Sequence, residues 1–255
     1  MRPLIAGNWK MHGLATQLRE IETMAATVHA QSPAADVLIC LPATLLSRAA
    51  HTAAGRIAIG GEDCHAEVSG AFTGDISADM LKDAGATAVI VGHSERRKYH
   101  GETDAMVAAK ARAAYRTGLS TIVCIGETDA QHSARTTLAV CGEQIAGSLP
   151  ADLARSGTAA IAYEPLWAIG NGHVPTPDQI VEVHEHIRKC LMGIAGAAGA
   201  EMRILYGGSV TSDNVREILE LANVDGVLIG GASLLAADFD AVLRTLPVRD
   251  SRGLR

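Results

Sequence analysis

Eight short apolar runs rich in β-branched residues recur along the chain, each separated from the next by a stretch with helical spacing. They occupy 4–9, 36–41, 56–61, 88–92, 121–125, 159–164, 203–206 and 226–229, and each closes on Gly, Pro or a polar residue. Runs of this kind are buried strands. The stretches between them, such as 103–117 and 177–192, read as helices, and the second opens with the start signal Thr176-Pro177. Eight strand-helix units leave two architectures, a closed parallel barrel and an open doubly wound sheet. The pattern favours the barrel: an α/β fold with a single eight-stranded parallel (β/α)8 sheet. A length of 255 residues suits one such barrel. No linker or composition shift divides the chain, so one domain is expected over 1–247, with a loose tail over 248–255. Only 3% of residues are aromatic against 48% apolar overall, so the core must be Ala, Val, Ile and Leu, which suits strands covered by helices.

The formal charge of −6 leaves no basic footprint for nucleic acid or an anionic membrane. No run approaches the roughly 18 apolar residues of a spanning helix, and the opening run is too short for a signal peptide. Cys40, Cys64, Cys124, Cys141 and Cys190 are odd in number and scattered, as expected of reduced, buried thiols in a cytoplasmic protein.

In a parallel barrel the site lies at the C-terminal face, so the residues closing each strand are informative. They read Asn8-Trp9-Lys10, Gly92-His93-Ser94-Glu95, Gly126-Glu127, Glu164-Pro165, Gly207-Gly208-Ser209 and Gly230-Gly231. The two glycine turns follow strands seven and eight, where backbone N–H groups can approach an anion closely, and together they make a phosphate cradle. A lone lysine after a strand is ordinarily solvated, but Lys10 at the barrel mouth would face the bound dianion. His93 opens a helix, whose N-terminus disfavours imidazolium, so a neutral hydrogen-bond donor is expected. Taken alone, it could equally be structural. Glu164 closes an apolar strand, where a carboxylate is desolvated and becomes a base, or is paired with a cation for structure.

Other chemistries lack their motifs. No G-x-S-x-G elbow surrounds Ser94 or Ser209, no P-loop is present, and Gly170-Asn171-Gly172 lacks the third glycine of a dinucleotide fingerprint. His184 and His186 are two apart and cannot form the i, i+4 zinc pair. Neither a metal nor a cofactor is expected.

The segments 6–11, 92–97, 162–170, 206–210 and 230–234, reading AGNWKM, GHSERR, AYEPLWAIG, YGGSV and GGASL, resemble the signatures of the triosephosphate isomerase family, in order and over nearly the whole chain. The resemblance implies the barrel named after that family, a place in glycolysis and gluconeogenesis, and cofactor-free interconversion of dihydroxyacetone phosphate and D-glyceraldehyde 3-phosphate through an enediolate. It implies Glu164 as the carbon base, His93 as the donor that polarises the carbonyl, and Lys10 as stabiliser of enediolate and phosphate charge. Asn8 would position substrate, Glu95 would sit beside Lys10, and backbone donors at Gly170, Ser209, Gly230 and Gly231 would hold the phosphate. The 165–176 segment resembles a closing lid hinged at Pro165-Leu166-Trp167 and Val174-Pro175-Thr176. The loop from Cys64 to Ser77 resembles one that enters a partner subunit and brings Thr73 near its active site, implying a homodimer.

Some positions depart from the family pattern. His12 stands for a common Asn, Glu62-Asp63 for Gln-Asn, and Asn171 and His173 for Thr and Lys in the lid. Two other readings use the same residues: an isomerase of a four-carbon ketose phosphate, and a non-catalytic phosphate-binding barrel. The second needs no carbon base.

Overall fold

The computed structural model describes residues 1–169 and 173–248. Eight parallel strands, β1 (Leu4–Asn8), β2 (Asp36–Cys40), β3 (Ala58–Gly61), β4 (Ala88–Val91), β5 (Ser120–Ile125), β6 (Ala159–Tyr163), β7 (Arg203–Tyr206) and β8 (Gly226–Ile229), close in sequence order into a barrel. Leu4 pairs with Asp36 on one side and with Gly226 on the other, which seals the sheet. Closure rules out the open doubly wound sheet.

The strand limits match the sequence reading to within two residues. The difference at β3 has a physical cause: the Arg56 guanidinium donates to the carbonyls of Thr52 and Ala53, so Arg56 caps the preceding helix Ala43–Ala53 instead of opening the strand. The helix Pro177–Ala195 begins with a reciprocal capping box between Thr176 and Gln179, and runs three residues beyond the expected end. Val248, the last described residue, bridges Pro33, and the remainder of the expected tail lies outside the described residues.

Side chains alternate across each strand, and the two faces build two cores. Leu4, Ala6, Leu38, Cys40, Ile90, Ile122, Cys124, Ala160, Ala162, Leu205 and Leu228 belong to the smaller one, which fills the barrel. Ile5, Ile39, Val89, Val123, Ile161, Ile204 and Val227 belong to the larger one, packed under the helices. This alternation positions the site. Two residues beyond Ala6 comes Asn8, beyond Ala162 comes Glu164, beyond Leu205 comes Gly207, and beyond Leu228 comes Gly230. The inward-facing period therefore continues past the apolar filling into a polar layer at the C-terminal mouth.

Candidate active site

That layer lines a cavity of about 310 Å³ bordered by Asn8, Lys10, His93, Glu164, Ile169 and the glycine turns 207–208 and 230–231. A cleft of about 430 Å³ lies at the N-terminal strand ends, beside Arg2, Asp36 and Arg56. Its carboxylate is already paired and its cations are engaged: Arg2 lies 3.3 Å from Asp36, Arg203 pairs with Asp36 as well, and Arg56 donates to the Thr52 and Ala53 carbonyls. The chemistry belongs to the C-terminal mouth.

Glu164 is 3% exposed. Its carboxylate accepts the Ser94 N–H at 3.0 Å and the Ser94 hydroxyl at 2.9 Å, and its Oε1 lies 3.0 Å from His93 Nε2. The backbone beside it is crowded, because a Cβ on Gly126 would come within 1.9 Å of the Glu164 carbonyl oxygen. Glycine there lets β5 and β6 close up beneath the carboxylate. Burial pushes the Glu164 carboxyl up, but the His93 charge and hydrogen bond and the two Ser94 donors outweigh it and hold it below its ordinary value.

His93 caps the helix Ser94–His100, its Nδ1 accepting the Glu95 N–H at 3.3 Å. The expectation of a ring kept neutral by the helix is met only in part. The cap assigns Nδ1 as an acceptor and leaves Nε2–H to donate, as a neutral ring would. Burial also opposes charge, yet the Glu164 carboxylate, followed by Glu95, outweighs it and raises the imidazole above its ordinary value. The helix N-terminus is one field among several, and the carboxylate 3.0 Å away is stronger in this arrangement.

Lys10 adopts φ 57°, a left-handed conformation unusual for a residue with a side chain. Its N–H donates to Asn8 Oδ1 at 3.1 Å, and its ammonium donates to Glu95 Oε1 at 2.7 Å. The strained backbone thus points the cation along the mouth, with Asn8 and Glu95 as its guides. Ser209, Gly230 and Gly231 line the same cavity. Gly170 lies outside the described residues, as do Asn171 and Gly172.

Ser94, Ile169 and Glu127 were not singled out for roles by the sequence. Glu127 follows β5 with its carboxylate fully buried, and its Oε1 accepts from Trp167 Nε1 at 2.7 Å and Tyr163 OH at 3.1 Å. Ser94 had a usable signal, since the first turn of a helix carries unpaired N–H donors.

A family model described as triosephosphate isomerase matches residues 3–246. The chain belongs to the triosephosphate isomerase family. A triosephosphate isomerase of Ruegeria sp. (strain TM1040) is 57% identical over 245 residues, covering 96% of this chain and 98% of that one. Another, from Rhodopseudomonas palustris (strain BisA53), is 54% identical over 250 residues, 97% of this chain and 98% of the relative. The crystal structure of triosephosphate isomerase from Bartonella henselae superposes with a TM-score of 0.88 at 46% identity, covering 95% of this chain and 98% of that one. As a member of that family the chain is an enzyme, and its barrel is the family's own.

Proposed function

We propose that the polar layer above the barrel is where this enzyme interconverts dihydroxyacetone phosphate and D-glyceraldehyde 3-phosphate, with Glu164 as carbon base, His93 as electrophile and Lys10 as the cation for developing charge. The observation that carries this reading is the meeting of a buried carboxylate, a buried imidazole and a lysine at one glycine-lined cavity.

The phosphate dianion enters the turns 207–209 and 230–231, held by backbone N–H groups. Glu164 is occupied by Ser94 and His93 in the present arrangement, so it must leave Ser94 to reach carbon. Leaving removes the donors that weaken it as a base. It then takes a proton from the carbon bearing the hydroxyl, and electrons flow to the carbonyl oxygen. Nε2–H of His93, freed from Glu164 and fixed by its cap, donates to that oxygen. Lys10 stabilises the enediolate, His93 passes a proton to the former carbonyl oxygen and takes one from the neighbouring hydroxyl oxygen, and return of the carbon proton from Glu164 to the neighbouring carbon completes the isomerisation. Asn8 orients Lys10 and substrate. Neither the four-carbon substrate nor the non-catalytic barrel gains support from the family match. A coupled isomerisation assay on the purified chain tests the activity, and absence of turnover on the three-carbon substrate would overturn it.

The 165–176 segment is read as a lid, because it starts directly after the base and its Ile169 lines the cavity. Closure would exclude water and strengthen each charge interaction inside. A homodimer is read from the 64–77 loop. His65 N–H donates to the Ile76 carbonyl at 2.8 Å and its ring lies 4.1 Å from Phe72, so the loop is a preformed projection. Val68, Phe72, Ile76 and the following Met80 are exposed on it, apolar surface that a second copy would cover. Cytoplasmic residence is supported by five free cysteines, four of them buried. Among the described residues no helix is long and apolar enough to cross a membrane.

A further inference from the structure

We propose that Gln144 is a positioning residue for Glu164: its side-chain amide clasps the main chain of Gly126, and Gly126 bears directly on the backbone of the base. The inference rests on the reading of Glu164 as the carbon base.

Gly126 stands just past the end of β5, where neither neighbouring strand pairs with it. The ladder between β4 and β5 stops at Val91 opposite Val123, and the one between β5 and β6 at Ile125 opposite Tyr163, with the Glu164 N–H on the Ile125 carbonyl at 2.8 Å. Gly126 is buried, so its own N–H and carbonyl need partners. Gln144 supplies both. Its Oε1 accepts the Gly126 N–H at 2.8 Å, and its Nε2 donates to the Gly126 carbonyl at 3.2 Å. A primary amide carries an acceptor and a donor side by side, as a neighbouring strand would, and a flipped amide would set like against like in both bonds. The helix Thr137–Ser148 brings it there: Cys141, Ile145 and Ser148 are its buried residues, and Gln144 shares their face. Ser148 reinforces the hold one turn on, since the Arg97 guanidinium donates to its hydroxyl at 3.0 Å and to the Cys124 carbonyl of β5 at 3.2 Å.

What Gly126 touches gives the clasp its consequence. It is packed so closely on Glu164 that an added Cβ would meet the Glu164 carbonyl oxygen at 1.9 Å, its carbonyl carbon at 2.8 Å and its Cα at 3.3 Å. No side chain intervenes to absorb a shift, so a movement of Gly126 is passed to the main chain of the base. A second route runs through the next residue. Glu127 accepts the Tyr163 hydroxyl at 3.1 Å, and Tyr163 directly precedes Glu164. Both routes begin at the peptide that Gln144 holds. The glycine turns after β7 and β8 belong to the far side of the cavity, and among the described residues the Gln144 amide bonds only to Gly126. Gln144 therefore acts on where the carboxylate stands over the reacting carbon, and leaves the phosphate cradle alone.

The test compares the full chain with Gln144→Met, which keeps the length of the side chain and loses both bonds. Turnover of the three-carbon substrate and the dissociation constant of glycerol 3-phosphate, a phosphate ester with no carbonyl to isomerise, are measured where circular dichroism shows both proteins folded. The variant's kcat should fall about ten- to hundredfold, the cost of displacing a reacting group by up to about 1 Å. Its KM and the dissociation constant should stay within about twofold, because an interaction used only in the transition state leaves binding unchanged. A merely structural role would lower the melting temperature and leave kcat alone. Gln144→Glu keeps the oxygen that accepts the Gly126 N–H; it should show the same split, and decides the matter should Gln144→Met fail to fold. The double variant with Glu164→Gln gives a second readout. Once the base is gone its placement no longer matters, so Gln144→Met should cost no more than about twofold beyond Glu164→Gln alone, whereas independent losses would multiply. Undiminished kcat in the folded variants, weakened binding of glycerol 3-phosphate that matches the fall, or multiplied losses in the double variant overturns the proposal. If Glu164→Gln alone turns over near normally, the reading of Glu164 as base fails and this inference with it. If Glu164→Gln is slow and the Gln144 variants are not, only this inference fails.

Discussion

Glu164 and His93 face each other across 3.0 Å, and each shifts the other's protonation: the carboxyl is held down and the imidazole held up. The pair stabilises the fold in a window. The depressed Glu164 contributes above its unfolded value of about 4.3 and is lost as pH falls through its folded value. The raised His93 contributes fully below about 6.5 and is lost as pH rises through its folded value.

Glu164→Gln breaks this pair and removes the base. It should retain the barrel and phosphate binding but lose at least about 10²-fold in kcat, the lower end for a positioned acid–base group. Its His93 should also titrate at lower pH than in the unmodified enzyme, because the main raising influence is gone while burial and the helix remain. Imidazole NMR measures the second effect. Near-normal turnover, or an unmoved His93, would contradict the assignment.

Much of this site was legible because strand ends are local features. The runs that became β1 to β8 end where Asn8, His93, Glu164 and the glycine turns begin; the two-residue pleat carries Asn8 and Glu164 inward, whereas His93 falls one residue out of that period, after Gly92 at φ 67°. Partnerships across the barrel left no such trace. Ser94 grips a carboxylate 70 residues away, so the sequence showed His93 only the helix field. The buried network in which Lys110 joins Asp63 at 2.7 Å and Glu102 at 2.5 Å, with Arg96 on the same two carboxylates, spans 47 residues and has no periodicity to betray it. Trp167 was read as a hinge, yet its partner Glu127 lies at the end of another strand.

Lys10→Met tests whether the cation recognises developing charge or only the ground-state phosphate. Lys10 shares the cavity with both Glu164 and the cradle. The variant should lower kcat as well as raise KM, since uniform binding would change KM alone. An unchanged kcat would leave Lys10 a phosphate anchor.

Glu62→Gln addresses a departure from the family pattern. Burial, with a smaller push from Glu95, raises the Glu62 carboxyl to about 8 against the pull of the Lys10 main chain and ammonium, and its buried Oε1 has no partner among the described residues. A carboxyl raised on folding loses stability as pH climbs from about 4.3, the unfolded value, towards the folded one. Glutamine should therefore stabilise by on the order of a few kcal/mol at about pH 8 and little at about pH 4.5. Denaturant unfolding at the two pH values checks this; an equal gain at both would assign the effect to packing.

Thr73→Arg probes the dimer. Thr73 is exposed near the tip of the 64–77 projection, beside exposed Phe72. If a second copy covers this loop, the variant buries an unpaired cation at a cost of several kcal/mol and should sediment as a monomer. A fully dimeric, fully active variant would exclude the loop from the contact.

The lid should protect the intermediate as well as hold it. An enediolate beside a phosphate ester can expel phosphate when the C–O bond lines up with its π system, so isomerisation competes with elimination. Ile169, two residues after Trp167, lines the cavity, and the residues following it, Gly170 among them, are proposed to grip the phosphate and keep that bond in the enediolate plane. Shortening 168–172 should slow isomerisation and raise the fraction of turnovers that release inorganic phosphate and methylglyoxal. Weaker substrate binding alone would lower the rate without altering the partition. Both products are measurable in one reaction, with heat-inactivated enzyme correcting for spontaneous breakdown. A slower enzyme with an unchanged phosphate-release fraction would mean that the lid aids binding and does not protect the intermediate.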